Sequence, residues 1–184
     1  MIIDGADGTR APSFSLQNRL MRGIWGVVWF LLFRLSPRPF HAWRALLLRL
    51  FGARIGQNVH VYPGVRVWAP WNLEIGNDSG IGSGVNLYSM ARIRIGARCV
   101  VSQGAHLCSG SHDYNSPNFQ LIAEPINIGD RVWICTEAFI GPGVNVHFGS
   151  VVGARAVLTK STTEPSYVWA GNPAVKRSRR SGCK

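Results

Sequence analysis

Aliphatic residues recur at every sixth position along most of the chain. The uninterrupted series is Ile128, Ile134, Ile140, Val146, Val152 and Leu158. Three shorter series keep the same spacing, with two extra residues between one series and the next: Ile55, Val61 and Val67, then Ile75, Ile81 and Leu87, then Ile95, Val101 and Leu107. We call these the frame positions. A short fixed period of this kind predicts a repeat architecture.

A small or apolar residue also stands two positions before every frame position. These residues are Ala53, Val59, Val65, Leu73, Ser79, Val85, Ile93, Cys99, Ala105, Ile126, Val132, Ala138, Val144, Ser150 and Ala156. Two inward residues separated by one outward residue follow the period of a β-strand. The rest of each hexad is polar, glycine-rich or turn-forming, so each hexad predicts one short strand and a corner. Three hexads close a triangular coil, and five stacked coils predict a prism roughly 24 Å tall at the ~4.8 Å strand spacing.

The rhythm divides the chain into parts. The hexads occupy residues 54–160, and residues 109–125 interrupt them with a long loop; long excursions from a rigid solenoid tend to carry function. Residues 1–13 carry no apolar period, and we expect a mobile tail there. Residues 14–53 form a helical segment, and residues 161–184 a C-terminal extension with a basic tail.

The helical segment reads as two helices separated by residues 36–39. In the first, Leu16, Leu20, Ile24, Val27, Val28, Leu31, Leu32 and Leu35 recur at helical spacing. In the second, Trp43, Leu46, Leu47 and Leu50 lie opposite Arg44 and Arg49. The fully apolar run, residues 24–33, covers only about 15 Å of the ~30 Å hydrocarbon core, so a full membrane span is not expected. Two alternatives stay open: the helices pack on the prism, or residues 14–51 lie in a membrane interface.

Composition narrows the function classes. Of 184 residues, 46% are hydrophobic and 16% charged, which argues against disorder. The net charge of +11 suggests anionic partners. Nucleic acid is not expected, because no recognition motif accompanies the basic tail. Cys99, Cys108, Cys135 and Cys183 lack the paired spacing of zinc or redox sites, which favours a reduced, cytoplasmic compartment.

His112 opens the long loop and is the main catalytic candidate. Transfer of an acyl group from a thioester to a hydroxyl needs a base near pH 7, and imidazole has an unperturbed pKa of about 6.5. Cys108, four residues earlier, offers an alternative in which a thiolate attacks first. We prefer direct transfer in a ternary complex.

Several motifs resemble those of the hexapeptide-repeat sugar O-acetyltransferases of the galactoside, maltose and nodulation type. They are Gly110-Ser111-His112-Asp113, Ile128-Gly129-Asp130-Arg131-Val132-Trp133-Ile134, Val152-Gly153-Ala154, Leu158-Thr159-Lys160 and Ala170-Gly171-Asn172-Pro173-Ala174. The prefix from Phe14 to Phe51 is closer to the colanic-acid and exopolysaccharide biosynthesis branch. The resemblance implies a left-handed parallel β-helix, a homotrimer, acetyl-coenzyme A as co-substrate, a saccharide acceptor and no metal. The basic helices would keep the enzyme near the inner face of the cytoplasmic membrane and its lipid-linked sugars.

The resemblance also implies roles for single residues. His112 is the general base and Asn86 holds the acceptor hydroxyl, while Asp113 either orients His112 or only caps the loop. The residues implied in coenzyme A binding are Trp133, along the thiol arm, Thr136 and Ala154, through their amides, and Thr159, Lys160, Lys176 and Arg177, at the nucleotide end. Cys135 departs from the family by replacing the usual glycine, and Asp113 stands where the galactoside and maltose enzymes have proline.

Other interpretations of the same residues remain. Asn86 suits a tight turn, Trp133 could pack between subunits, and the basic residues could be ordinary solvated charge. The repeat also occurs in non-catalytic scaffolds and in zinc-dependent carbonic anhydrases. The imidazoles that could supply such a metal are His60, His106, His112 and His147.

Overall fold

The computed structural model describes residues 14–182, so the tail predicted at 1–13 and Cys183 lie outside the described residues. Five coils stack into a left-handed parallel β-helix with three faces, which confirms the predicted fold class. Face 1 holds β1 (Arg54–Ile55), β4 (Leu73–Ile75), β7 (Ile93–Ile95), β12 (Ile126–Ile128) and β15 (Asn145–Val146). Face 2 holds β2 (His60–Val61), β5 (Gly80–Ile81), β8 (Val100–Val101), β13 (Trp133–Ile134) and β16 (Val151–Val152). Face 3 holds β3 (Arg66–Val67), β6 (Asn86–Tyr88), β9 (His106–Cys108), β14 (Phe139–Ile140) and β17 (Val157–Leu158).

The core consists of the residues that the hexad pattern marks. Every frame position is buried, and so is every residue two positions before one. At many corners, the third residue after a frame position has positive φ, as at Asn58 (51°), Asp78 (57°) and Gly84 (72°). Glycine adopts this conformation freely, and asparagine and aspartate tolerate it better than most residues. The corner is therefore encoded together with the strand.

Two helices cover the first coil. They are α1 (Leu16–Val28), which continues into a π-helical segment (Trp29–Phe33), and α2 (His41–Leu50). The carbonyl oxygens of the first coil have no preceding coil to bond, and helix side chains donate to them instead. Trp25 Nε1 donates to Val67 O at 2.7 Å and Trp29 Nε1 to Val65 O at 2.7 Å. These bonds satisfy an edge that would otherwise be open to pairing with another chain.

The helices do not face the prism in the predicted way. Arg44 was expected on a polar side, but its side chain is fully buried. Its Nε donates to Val61 O at 2.6 Å, and its two terminal nitrogens donate to the hydroxyl of Ser36 and the carbonyls of Pro37 and Arg38. The prediction was wrong because it assumed that the charged side of the helix meets solvent. Here the backbone carbonyls at the edge of the prism need hydrogen-bond donors, and a guanidinium group has five N–H donors.

The outward side of the helices is apolar. Exposed large hydrophobic side chains there are Leu16, Leu20, Met21, Ile24, Val27, Phe30, Leu31, Leu32, Leu35, Phe40, Trp43, Leu46 and Leu50. The helices thus pack on the prism through one side, of which Trp25, Phe33 and Leu48 are buried members, and leave the other uncovered. Within residues 14–182, no helix has the length and hydropathy needed to cross a bilayer.

The long loop and the C-terminal extension both add strands. Within residues 109–125, β10 (Gly110–His112) and β11 (Leu121–Ala123) form an antiparallel hairpin, which the sequence analysis described only as a loop. After the last coil, β18 (Tyr167–Ala170) pairs with β16 in parallel, and β19 (Val175–Arg179) pairs with β18 in antiparallel orientation. These two strands extend the sheet of face 2 by two strands beyond the fifth coil.

Candidate active site

The hairpin of β10 and β11 leaves the prism where face 3 meets face 1. Ser109 is buried at its base and donates its hydroxyl to Tyr88 O at 2.8 Å, while its carbonyl accepts from Glu124 N at 2.8 Å. Gly110 lies so close to Tyr88 and Met90 that an added Cβ would overlap the Met90 sulfur. The base of the hairpin is therefore fixed against the second coil, and the strands carry His112 outward from it.

His112 is exposed on this hairpin and held by one hydrogen bond. Its Nδ1 lies 2.5 Å from the carbonyl oxygen of Phe119, a residue with φ of 47° in the loop between the two strands. A carbonyl can only accept, so Nδ1 carries the proton and the neutral ring keeps a lone pair on Nε2. The ring is oriented as a base that can remove a proton from a group outside the chain.

Asp113 has other partners. Its carboxylate accepts from the amide of Asn115 at 2.9 Å, and its own amide donates to Gln120 O at 2.8 Å. These contacts close the turn of the hairpin. The described partner of His112 Nδ1 is the carbonyl of Phe119, whereas the described contacts of Asp113 are within the turn of the hairpin.

Asn86 lies on face 3, half-buried, with its Nδ2 3.3 Å from Nε2 of His106. Burial lowers the pKa of His106, which favours the neutral ring that can accept this bond. With one amide N–H engaged, the second N–H and the side-chain oxygen of Asn86 remain to contact a polar ligand. His106 also contacts the rings of Tyr88 and Phe139 edge-on, with centroids 6.5 and 5.4 Å apart. The sequence analysis considered His106 only as a metal ligand, yet its position was informative: it occupies the outward place on face 3 one coil after Asn86.

The residues implied in holding the thiol arm share the corner between faces 2 and 3. Trp133 is 46% exposed and donates its indole N–H to the Ser102 hydroxyl at 2.9 Å, so the ring bridges two coils. Thr136 and Ala154 follow on the fourth and fifth coils. Within residues 14–182, the amide N–H of neither residue donates a hydrogen bond. These N–H groups are available to a ligand that carries carbonyl oxygens along this corner.

The implied nucleotide-end residues lie beyond the fifth coil in two places. Thr159 and Lys160 are exposed where face 3 ends. Lys176, on β19, pairs with Glu164 at 2.5 Å, and this bond raises the pKa of the lysine. Arg177 is exposed beside it. In one chain the set formed by Trp133, Thr136 and Ala154 therefore lies along one edge of face 3, while His112, Thr159 and Lys160 lie along the other.

The chain matches no family model. It is, however, 45% identical over 158 residues to the putative colanic acid biosynthesis acetyltransferase WcaF of Escherichia coli K12, and the match covers 86% of each chain. The chain belongs to the hexapeptide-repeat acetyltransferases. The resemblance found in the motifs is confirmed, and the protein is an acetyltransferase.

Solved structures agree with the acetyltransferase in fold. A hexapeptide-repeat acetyltransferase of Vibrio cholerae O1 biovar eltor, complexed with acetyl-coenzyme A, matches with a TM-score of 0.81 at 23% identity, over 94% of this chain and 93% of that one. A galactoside acetyltransferase in complex with coenzyme A matches with a TM-score of 0.82 at 23% identity, over 92% of this chain and 85% of that one. At these identities the matches establish the fold of the acetyltransferase.

The described cysteines of the acetyltransferase are buried or partly buried. Burial raises the pKa of Cys108 and of Cys135, and raises the pKa of Cys99 to about 11. The Cys108 thiol also donates to Gly110 O at 3.2 Å. Because the thiolate is the reactive form, these sites disfavour an acyl-cysteine intermediate. No group of three or more His, Cys, Asp or Glu residues arranged to hold a metal occurs in the described range 14–182.

Proposed function

We propose that the protein transfers the acetyl group of acetyl-coenzyme A to a hydroxyl of a saccharide, with His112 as general base. The observation that carries this proposal is the bond between His112 Nδ1 and the Phe119 carbonyl, which leaves Nε2 as the basic atom on an exposed hairpin. Acetyl-coenzyme A is the donor because the protein is an acetyltransferase of a family with coenzyme A complexes among its structural neighbours.

The reaction needs one base and no covalent enzyme intermediate. Nε2 of His112 takes the proton of the acceptor hydroxyl as its oxygen attacks the thioester carbonyl. The tetrahedral intermediate expels the coenzyme A sulfur, which receives that proton from the imidazolium. A positioned base contributes about 10²- to 10⁴-fold to such a step. Asn86 holds the acceptor through its side-chain oxygen, and the thioester is activated enough to leave the enzyme mainly the task of positioning.

Coenzyme A extends along the corner between faces 2 and 3. The Trp133 ring packs beside the thiol arm, and the N–H groups of Thr136 and Ala154 donate to the pantetheine carbonyls. Lys176 and Arg177 meet the phosphates at the far end of the prism, and Thr159 and Lys160 reach them from the opposite edge of face 3 of a neighbouring subunit. Arginine and lysine side chains suit this task because charge-assisted bonds to phosphate are stronger than neutral ones.

We also propose that the active enzyme is a homotrimer with its sites between subunits. The two sets of residues lie on opposite edges of face 3 within one chain, whereas a neighbouring prism can bring its own edge up to His112. Trp133, exposed and aromatic, then lines a cleft between chains. A symmetric ring of prisms closes with three equivalent clefts.

The helical cover suggests where the enzyme works. We propose that residues 14–51 associate peripherally with an anionic membrane surface. The outward side of α1, of the π-helical segment after it and of α2 exposes large apolar side chains, among them Leu20, Ile24 and Leu31, and arginines such as Arg19 and Arg34 lie beside them. An apolar helix face bordered by basic residues is the pattern of an interfacial helix. Such an enzyme would act close to lipid-linked saccharides.

Incubation with labelled acetyl-coenzyme A and a panel of mono- and oligosaccharides tests the acceptor class. The proposal predicts an O-acetylated saccharide whose ester is released by mild alkali, with one coenzyme A thiol formed per ester. Label transferred only to amines, or thioester lost only to water across the panel, would show that the acceptor is not a saccharide hydroxyl.

A further inference from the structure

A cavity of about 440 Å³ lies between α1 and face 3 on the first coil. Its charged lining consists of Arg22, Arg34 and Arg66, and no acidic residue contributes to it. The remaining lining is mostly aromatic, from Trp25, Trp29 and Trp68, with Gly26 and Val67. A concave site with three cations and no counter-charge favours an anionic ligand.

Neighbouring side chains orient two of the three arginines. The Arg22 guanidinium lies 4.4 Å from the ring centroid of Trp68, and its Nε donates to the side chain of Asn18 at 2.9 Å. The Arg34 guanidinium lies 5.6 Å from the Trp29 ring centroid. Among the described residues, none of Arg22, Arg34 and Arg66 forms an ion pair. Stacking on aromatic rings fixes guanidinium groups while leaving their terminal N–H donors available.

We propose that this cavity binds the phosphate or diphosphate of a phosphorylated saccharide acceptor. This inference rests on the proposed function and names the class of its acceptor. One guanidinium group can donate two parallel N–H bonds to two oxygens of a phosphate. Three guanidinium groups around one cavity therefore match a ligand group with two or more negative charges. A neutral sugar would leave the mutual repulsion of the arginines uncompensated.

The cavity is placed to serve the acceptor. Arg66 and Asn86 are register partners on adjacent strands of face 3, so they stand one strand spacing apart, about 4.8 Å. A phosphate at Arg66 therefore positions the attached sugar over Asn86, the residue proposed to hold the reacting hydroxyl. The apolar outward side of α1 begins on the same helix as Arg22, so a lipid attached to the phosphate could remain in a membrane.

The same geometry argues against coenzyme A as the source of the anion. Arg66 is on the first coil, whereas Thr159 and Lys160 follow the fifth. Four strand spacings separate these levels, about 19 Å. The two phosphate-binding regions thus lie at opposite ends of face 3, with Asn86 and His106 between them.

Direct binding tests the cavity without reference to catalysis. Inorganic pyrophosphate is titrated into the full chain while tryptophan fluorescence is recorded, because three indoles line the site, and calorimetry measures the affinity. Arg66→Gln should weaken binding about tenfold or more, the effect of losing one charge-assisted contact. Arg94→Gln, an exposed residue on face 1, removes the same charge and should leave the affinity unchanged. No binding to the parent protein, or equal weakening in both variants, would overturn the proposal.

Gly26→Leu provides a test that keeps every charge. An added Cβ at Gly26 meets nothing within 4 Å, and leucine favours a helix more than glycine does, so the variant should fold. Its side chain should occupy the cavity and weaken pyrophosphate binding. Retention of full affinity in a folded Gly26→Leu protein would contradict a site in this cavity.

Kinetics separate the inference from the proposed function. Pyrophosphate should compete with a sugar 1-phosphate acceptor but not with acetyl-coenzyme A, and Arg66→Gln should raise the KM of that acceptor alone. Pyrophosphate that binds at Arg66 in a protein unable to acetylate any saccharide would refute the proposed function and leave the anion site standing. A functional enzyme that prefers unphosphorylated sugars would refute the acceptor class. Comparing the sugar 1-phosphate with the same sugar on a polyprenyl phosphate in vesicles distinguishes a soluble from a lipid-linked source.

Discussion

At the scale of single residues, the site depends on which ring nitrogen of His112 is free. The sequence pointed to His112 because it stands where regular coils give way to a loop, and that inference needed no coordinates. The Phe119 carbonyl that fixes the tautomer lies seven residues away. Every residue has a backbone carbonyl, so the sequence alone does not show which one the curvature of the loop brings close to His112. His106 was within reach of sequence reasoning, because it repeats the outward position of Asn86 one coil later.

Cys108 gives a sharp test at this scale. Burial raises the pKa of its thiol, so little thiolate is available for attack at neutral pH. Cys108→Ser should therefore keep kcat within about twofold of the parent enzyme, since direct transfer makes no use of the sulfur. Steady-state kinetics with acetyl-coenzyme A measures this, and a serine variant without activity, despite a native circular dichroism spectrum, would indicate an acyl-cysteine route.

At the scale of elements, the hexads predicted every strand level of the prism but not the direction of its helical cover. Frame residues are buried because the coil geometry alone determines which side chains point inward. The orientation of α2 depends instead on the needs of another element. The carbonyls of the first coil require donors, and this requirement outweighs the usual exposure of arginine, so Arg44 is buried while Leu46 and Leu50 face outward.

Arg44→Met should therefore destabilise the fold although it replaces a buried charge with an apolar side chain. Removing the guanidinium leaves the carbonyl of Arg38 without its described donor. It also takes one of two described donors from Val61 O, which keeps His41 Nδ1, and from Pro37 O, which keeps Phe40 N. We expect a loss of about 3 kcal/mol in the free energy of unfolding, from several lost bonds to a charged donor. Arg54→Met, at an exposed salt bridge with Glu74, is the control and should change stability by less than about 1 kcal/mol. Urea unfolding compares the two, and equal effects would contradict the edge-capping role.

The outward side of the helices predicts binding to lipid. Leu20→Glu and Leu31→Glu each place a charge on the exposed apolar surface and should reduce co-sedimentation with phosphatidylglycerol vesicles by about tenfold. Phe148→Glu, an exposed aromatic residue on the prism, is the matched control and should not change it. The proposal would be contradicted if the parent protein did not co-sediment with vesicles and Leu31→Glu changed its oligomeric state. That result would show that another copy of the chain covers this surface.

At the scale of the whole molecule, one chain holds all the proposed residues but distributes them on two edges of face 3. Sequence spacing assigned each residue to a coil, and so to a height along the prism. It could not show which edges meet across a subunit boundary, because that depends on lateral packing between copies. We therefore propose the trimer from the geometry of one chain, and mixing of subunits can test it.

Complementation tests whether the site is shared. Two inactive variants, His112→Ala and Trp133→Ala, are co-expressed with different tags, and trimers that carry both tags are purified. If His112 and Trp133 of one site come from different subunits, each mixed trimer regains one intact site of three, or about one third of the parent activity. Mixed trimers as inactive as the separate variants would place both residues of a site in one chain.

The most direct test of the central claim is the kcat of His112→Ala together with its affinity for acetyl-coenzyme A. We predict that kcat falls by about 10²- to 10⁴-fold, the contribution of a positioned base, while the dissociation constant of acetyl-coenzyme A stays within about twofold. His147→Ala, which removes an exposed imidazole from another part of the prism, should retain the parent kcat. A His112→Ala enzyme whose kcat is close to that of the parent would contradict the assignment of His112 as the catalytic base.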